Sequence, residues 1–170
     1  MFGNRLAACF FFDSNLINVL FYLYYFNHYF TENSWVMLLD DFNLIIHEAG
    51  HPITSLISNN LAVYGGTLFQ LIFPFAFACH FWRQRHSAGW MVSLVWLGEN
   101  MMNVGLYMKD ARAQELPLLG GGEHDWLEIF SRWGVLNRDV YIGNVTRFLG
   151  LCIALFATIW LWKQWRRMNR

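Results

Sequence analysis

Residues 148–162, FLGLCIALFATIWLW, contain no charged side chain and are soon followed by a basic tail. Extended upstream to residue 140, this segment is long and apolar enough to cross the hydrocarbon core of a bilayer, which takes about 20 residues in a helix. Only Arg147 interrupts the longer segment 140–162. Because segments rich in Lys and Arg stay on the cytoplasmic side, the tail predicts a cytoplasmic C-terminus. The tail contains Lys163, Arg166, Arg167 and Arg170.

The whole chain shares this apolar character. Of its 170 residues, 56% are hydrophobic and 14% are charged, whereas soluble domains contain about 25% charged residues. The composition therefore excludes an ordinary soluble globule, and so much apolar surface also excludes a disordered chain. The 12 basic and 12 acidic residues balance, so nothing indicates a nucleic-acid partner. We expect one all-α domain over residues 1–170, embedded in a membrane, with lipids as its surroundings.

The distribution of charge predicts a polytopic bundle of about four to five membrane helices. Residues 67–82 form a second candidate span, which ends at the basic loop 83–86, and residues 88–108 form a third. If residues 88–108 and 140–162 both cross the membrane, the basic loop and the basic tail lie on the same side, as the positive-inside rule requires. Residues 15–30 either cross the membrane or lie at its interface. The predicted location is the cytoplasmic membrane of a bacterium.

Residues 109–139 differ from the rest, because ten charged residues lie within this segment. They predict a polar loop on the non-cytoplasmic side. Two glycine runs, Gly65-Gly66 and Gly120 to Gly122, are also typical of loops. The cysteines are widely spaced in apolar surroundings, which predicts buried free thiols and excludes a disulfide framework or a thiolate zinc site. They are Cys9, Cys79 and Cys152.

One predicted helix contains a motif typical of metal-binding catalytic sites. Apolar residues recur every three or four positions over residues 35–57, which predicts an amphipathic helix that Pro52 should bend. Within it lies the motif His47-Glu48-Ala49-Gly50-His51. Histidines one turn apart share a helix face and bind one metal ion, while the glutamate faces the open coordination position. The motif predicts a site for Zn²⁺ with His47 and His51 as ligands.

Such a site needs a third protein ligand and leaves the fourth position for water. The sequence offers three candidates: Asp110, His124 and Asp125. His124 and Asp125 follow the second glycine run, which would let them fold back on the site. Asp110 ends a polar stripe spaced to share one face of the helix over residues 88–108. The stripe consists of Asn100, Asn103, Tyr107 and Asp110.

The motif HEAGH, followed by GGTLFQ at residues 65–70 and by an Asn-to-Asp stretch that ends the next span, resembles the site-2 protease family of membrane-embedded zinc metalloproteases. The resemblance covers about residues 35–125. In that family the third ligand is an aspartate a few residues after an asparagine, which implies Asp110 following Asn103. This chain has Ala111 where the family has glycine, so His124 stays an alternative ligand.

The predicted function is hydrolysis of peptide bonds in membrane-anchored proteins or peptides. Glu48 would take the proton from a zinc-bound water as it attacks the carbonyl, and Asn103 or Tyr107 would donate a hydrogen bond to the oxyanion. A second hypothesis is a non-proteolytic zinc-binding accessory subunit, with other membrane subunits as partners; the small size favours it. A third is a haem or pigment protein that uses His28, His47 or His80 as an axial ligand.

Overall fold

The computed structural model describes residues 27, 38–116 and 124–168. Their regular secondary structure is entirely helical, so the predicted all-α class is confirmed for this part of the chain. The predictions for residues 15–30, Cys9, His28 and the second glycine run lie outside the described residues. The helices are α1 (Leu39–Ser55), α2 (Ala62–Arg83), α3 (Ser87–Lys109), α4 (Asp125–Arg132) and α5 (Asp139–Met168), with 3-10 turns at Asn59–Leu61 and Leu136–Arg138.

Helices α3 and α5 form the most extensive antiparallel contact among the described helices, and glycines allow their backbones to approach. A Cβ at Gly98 would lie 2.6 Å from the carbonyl oxygen of Gly150, and one at Gly105 would lie 2.6 Å from that of Gly143. The two contacts are separated by seven residues, or about two turns, on each helix, so they lie along the same line of contact. Small residues that bring backbones together in this way are typical of helix packing in membranes, where apolar side chains gain little by leaving lipid.

Two helical segments, Asn59–Arg83 and Leu136–Gln164, are long and apolar enough to cross a membrane. Only 28% and 22% of the residues in their most apolar windows are buried, so most of their side chains face outward. Helix α3 was predicted as a span but is not one of these two segments, because Glu99, Asn100 and Asn103 lower its mean hydropathy. The described residues thus contain two candidate spans, whereas the sequence predicts four or five over the whole chain.

Three local predictions need correction. Gly65 and Gly66 lie inside α2 and not in a loop, because they serve a close helix contact. The segment 109–139 contains α4, which buries the apolar side chains of Trp126, Ile129 and Phe130, so it is only partly loop. The free thiols of Cys79 and Cys152 are exposed and not buried, since each lies on the outward face of an apolar helix.

Candidate metal centre

Helix α1 presents the two histidines of the motif on one face. Asp40 and Asp41 lie in its first turn, where negative charge stabilises the helix dipole. Four residues apart, the rings of His47 and His51 meet edge to face with their centroids 4.9 Å apart. His47 is buried and His51 is half-buried, whereas Glu48 between them is exposed. Ligand atoms of these three side chains all lie within 4.8 Å of one another.

Hydrogen bonds orient both imidazole rings. The Nδ1 atom of His47 lies 3.3 Å from Oε1 of Gln70, and that of His51 lies 2.9 Å from the carbonyl oxygen of Ala62. Both partners are acceptors, so each Nδ1 carries the proton and donates it. This arrangement leaves each Nε2 atom as the one that could bind a metal, which it does once it carries no proton.

The third converging group is the carboxylate of Asp125, the first residue of α4. Its Oδ2 atom lies 2.9 Å from Nε2 of His47 and 3.3 Å from Nε2 of His51. Ligand atoms at about 2.0–2.1 Å from a tetrahedral Zn²⁺ lie about 3.3 Å from one another. Two imidazoles and one carboxylate, brought this close, fit Zn²⁺, which occurs with two histidines and a carboxylate in catalytic sites. Contact with Asp125 raises the pKa of His51 to about 9 when no metal is bound, so Zn²⁺ would displace a proton from its Nε2 atom.

The carboxyl of Asp125 is held in its ionised form. Burial by itself raises the pKa of Asp125, but the contacts with His47 and His51 outweigh burial, and the pKa lies below its ordinary value. A carboxyl must be ionised to bind a metal. Because Asp125 touches both Nε2 atoms while Glu48 is exposed, Asp125 is suited to be the ligand and Glu48 is free for proton transfer.

Neighbouring groups fix the backbone of Asp125. The hydroxyl oxygen of Tyr107 accepts a hydrogen bond from the Asp125 N–H at 3.1 Å. His124 caps α4, because its Nδ1 accepts from the N–H of Leu127 at 3.3 Å. The side chains of Ile129 and Phe130 are buried beneath α4 and anchor it to the bundle. The proposed ligand Asp125 is therefore part of a helix that packs against the bundle, and not part of a loop.

Asp110 and His124, the other two predicted ligands, contact each other instead of the histidine pair. The Asp110 carboxylate accepts hydrogen bonds from the N–H groups of Glu115 and Leu116 at 2.8 and 3.1 Å. Its Oδ2 atom lies 3.4 Å from Nε2 of His124. Burial lowers the pKa of His124, which favours its neutral ring. Among the three candidates, only Asp125 reaches the metal-binding atoms.

The two predicted oxyanion donors are placed differently. The ring of Tyr107 lies beside the site, with its centroid 6.0 Å from that of His47. Asn103 instead donates to the carboxylates of Asp40, at 2.6 Å, and Glu99. These contacts belong to a separate buried polar cluster between α1 and α3. The structure therefore brings Tyr107 to the histidines and directs the Asn103 amide elsewhere.

Two residues of α2 shape the site in ways that the sequence pattern did not reveal. A Cβ at Gly66 would lie 2.5 Å from Cε1 of His47, and closer still to Nε2. The space beside the metal-binding atom thus exists only because residue 66 has no side chain. Gln70, with only apolar residues beside it over residues 68–79 of α2, orients the same ring. Its isolation among apolar neighbours was the signal that could have identified it.

Comparisons with known proteins do not identify a family for this chain. No protein-family model matches the chain, and searches of curated proteins and of solved structures found no match. The resemblance to the site-2 protease family therefore stays a prediction that depends on the motif and its surroundings.

Proposed function

We propose that this protein is a membrane-embedded zinc hydrolase that cleaves peptide bonds of membrane-anchored proteins or peptides. Its metal ligands are His47, His51 and Asp125, and Glu48 is its general base. One observation carries the proposal: two Nε2 atoms, both with their Nδ1 partners occupied, converge on one carboxylate oxygen at 2.9 and 3.3 Å. A positive charge among these atoms stabilises the cluster: a proton on His51 supplies it when no metal is bound, and Zn²⁺ would replace that proton.

A bound Zn²⁺ supplies Lewis acidity, which activates water and polarises a substrate carbonyl. Glu48, whose carboxylate approaches the histidine ligand atoms within 4.8 Å, accepts a proton from the attacking water and returns it to the leaving amine. Tyr107 acts as a positioning residue, since its hydroxyl holds the backbone of Asp125. The exposure of Glu48 leaves a route for water and for the substrate backbone.

The site lies toward one end of the candidate span, which makes access to water simpler than in the middle of a bilayer. The carbonyl of Ala62, where α2 begins, orients His51. Gln70 lies eight residues further on, or about 12 Å along the helix. The basic loop 83–86 is at the opposite end of α2. In the proposed topology the site therefore opens near the non-cytoplasmic surface, and its substrates are peptide segments at that surface.

The outward faces of α2 and α5 support a membrane location. Large apolar side chains there are about half exposed, which would be costly in water over so continuous a surface. They include Ile72, Phe75 and Phe77 on α2, and Phe148, Phe156 and Ile159 on α5.

The test is zinc content and hydrolysis measured on the same preparations. Wild-type protein in lipid vesicles should bind one zinc per chain and cleave a membrane-anchored model peptide. Glu48→Gln should keep the zinc and lose about 10²- to 10⁴-fold in the rate of hydrolysis, the usual contribution of a general base. Glu128→Gln, which alters an exposed carboxylate paired with Arg132, is the matched control and should change neither quantity.

Three outcomes would count against the proposal. Full hydrolysis by Glu48→Gln would remove the mechanism. Stoichiometric zinc without hydrolysis of any tested peptide would instead favour the accessory subunit, in which the metal is structural. Visible absorbance of the purified protein would favour the haem hypothesis.

A further inference from the structure

A second candidate site lies at the opposite end of the bundle from the metal centre. It is a cavity of 310 Å³ where the turn between α2 and α3 meets the end of α5. Its volume is within the range of about 300–1,000 Å³ that small-molecule sites have. We call it the aromatic cavity, lined by Trp82, Arg85, His86, Ser87, Trp90 and Trp160.

Three tryptophans surround the aromatic cavity from different directions. The ring centroids of Trp82 and Trp90 are 4.4 Å apart at an interplanar angle of 62°, and those of Trp90 and Trp160 are 5.7 Å apart at 81°. These pairs meet edge to face, and all three rings also line the aromatic cavity, where a bound group would contact them. Such cages are typical of sites for ammonium groups, and tryptophan is the strongest cation–π partner.

Arg85 occupies a backbone position that normally belongs to glycine. The N–H of His86 bonds to the carbonyl of Phe81 at 3.0 Å, and the N–H of Arg85 bonds to that of Trp82 at 3.0 Å, which together close α2 with a Schellman motif. Arg85 is the left-handed residue of this motif, with φ 55°. This conformation is less stable for a residue with a Cβ atom than for glycine. Arg85 is also among the residues that line the aromatic cavity.

The polar wall of the aromatic cavity consists of donors. The Nδ1 atom of His86 accepts from the N–H of Gly89 at 3.0 Å, so the proton of its neutral ring is on Nε2. The guanidinium of Arg85 adds further N–H donors and a permanent positive charge. Arginine and histidine donors side by side suit the oxygens of a phosphate group.

Both candidate spans end at the aromatic cavity. Asn59–Arg83 stops at the turn, and Leu136–Gln164 stops beside it, where Nε2 of Gln164 lies 3.4 Å from Oγ of Ser87. If these segments cross the bilayer, as the proposed function requires, the cavity lies at the depth of the lipid headgroups. Tryptophan is enriched at this depth.

We propose that the aromatic cavity binds the headgroup of a phospholipid that carries both a phosphate and an ammonium group. The phosphate is bound by Arg85 and His86, and the ammonium lies among Trp82, Trp90 and Trp160. The basic charges alone would favour any anionic lipid, so the cage is what selects a headgroup with an ammonium group.

The test compares two lipids by native mass spectrometry of the full-length protein in detergent. Phosphatidylethanolamine and phosphatidylglycerol with identical acyl chains are added in turn. The wild type should bind phosphatidylethanolamine about tenfold more tightly, as expected for a desolvated cation–π site. Trp90→Leu should remove this preference. The matched control Trp133→Leu changes an exposed tryptophan on the far side of the protein and should leave the preference intact.

Arg85→Gly separates ligand binding from folding. Glycine adopts the left-handed conformation of residue 85 without steric strain, so the protein should unfold at a higher temperature. Its affinity for phosphatidylethanolamine should fall, because the guanidinium group is lost. If Trp90→Leu does not fold, this variant still tests the phosphate contact, and the comparison of the two lipids on the wild type tests the selection of the ammonium group. Equal affinity of the wild type for the two lipids, or unchanged affinity in Arg85→Gly, would overturn the proposal. So would binding of soluble phosphoethanolamine as tightly as the lipid.

Failure of this inference is distinguishable from failure of the proposed function. Lipid binding requires neither zinc nor hydrolysis, so an inactive protein that still prefers phosphatidylethanolamine leaves the inference intact. Conversely, hydrolysis without lipid preference overturns only the inference. Release of the protein from membranes by alkaline carbonate would refute the membrane location on which both depend.

Discussion

A methyl group at residue 66 should disable the metal centre without removing a ligand. In Gly66→Ala, the new Cβ would lie 2.5 Å from Cε1 and 2.7 Å from Cδ2 of His47. To reach the 3.4 Å of ordinary contact, the ring must move by about 1 Å, since the glycine is held inside α2. Metal–ligand distances tolerate only about 0.2 Å. We therefore expect zinc affinity to fall by about 100-fold, the upper range for disturbed ligand orientation.

Competition with a chromophoric zinc chelator measures this loss, and circular dichroism reports whether the helices persist. Gly134→Ala is the control, because Gly134 has a φ of 67° and no atom within 4 Å of its Cβ position. An alanine there should cost about 1 kcal/mol of folding stability and leave zinc affinity unchanged. Wild-type zinc affinity in a folded Gly66→Ala protein would refute the assignment of His47 Nε2 as a ligand.

Three further predictions concern the support of Asp125. Tyr107→Phe removes the acceptor of the Asp125 N–H, and zinc affinity measured with the same chelator should fall about tenfold. Phe130→Ala empties a fully buried position under α4, so the free energy of unfolding should drop by about 3–5 kcal/mol in a denaturation series. Because burial lowers the pKa of His124, the contribution of this residue to thermal stability should be lost as the pH falls below about 6.5, since the unfolded chain binds a proton more readily. His51, whose pKa is raised to about 9, contributes in the opposite sense as the pH rises above about 6.5. The comparison of wild type with His124→Asn, which keeps a capping side chain and should weaken the decrease at acid pH in scans from pH 5 to 8, isolates the effect of His124.

Local patterns predicted the helices of this protein well. The periodicity over residues 35–57 corresponds to α1, described from residue 39 to residue 55, and the apolar segment 67–82 lies within α2. The motif also predicted that His47 and His51 share a face, since four residues make about one turn. These features depend only on neighbours along the chain, which is why the sequence is sufficient to predict them.

Contacts between distant segments were harder to predict. Asp110, His124 and Asp125 are all plausible ligands by residue type, and only the packing of α4 against the bundle brings Asp125 to the histidines. Helix α4 spans eight residues, which is too short for a clear periodic pattern. Gly65 and Gly66 suggest a loop by local propensity, yet contact with α1 places them inside a helix.

The most direct measurement of the central claim is X-ray absorption at the zinc edge of protein purified with its native metal. We predict one zinc per chain with two imidazole nitrogens and at least one oxygen at about 2.0–2.1 Å, and loss of the metal in Asp125→Ala but not in Asp110→Ala. Absence of zinc, a third imidazole from His124, or sulfur in the coordination sphere would contradict it.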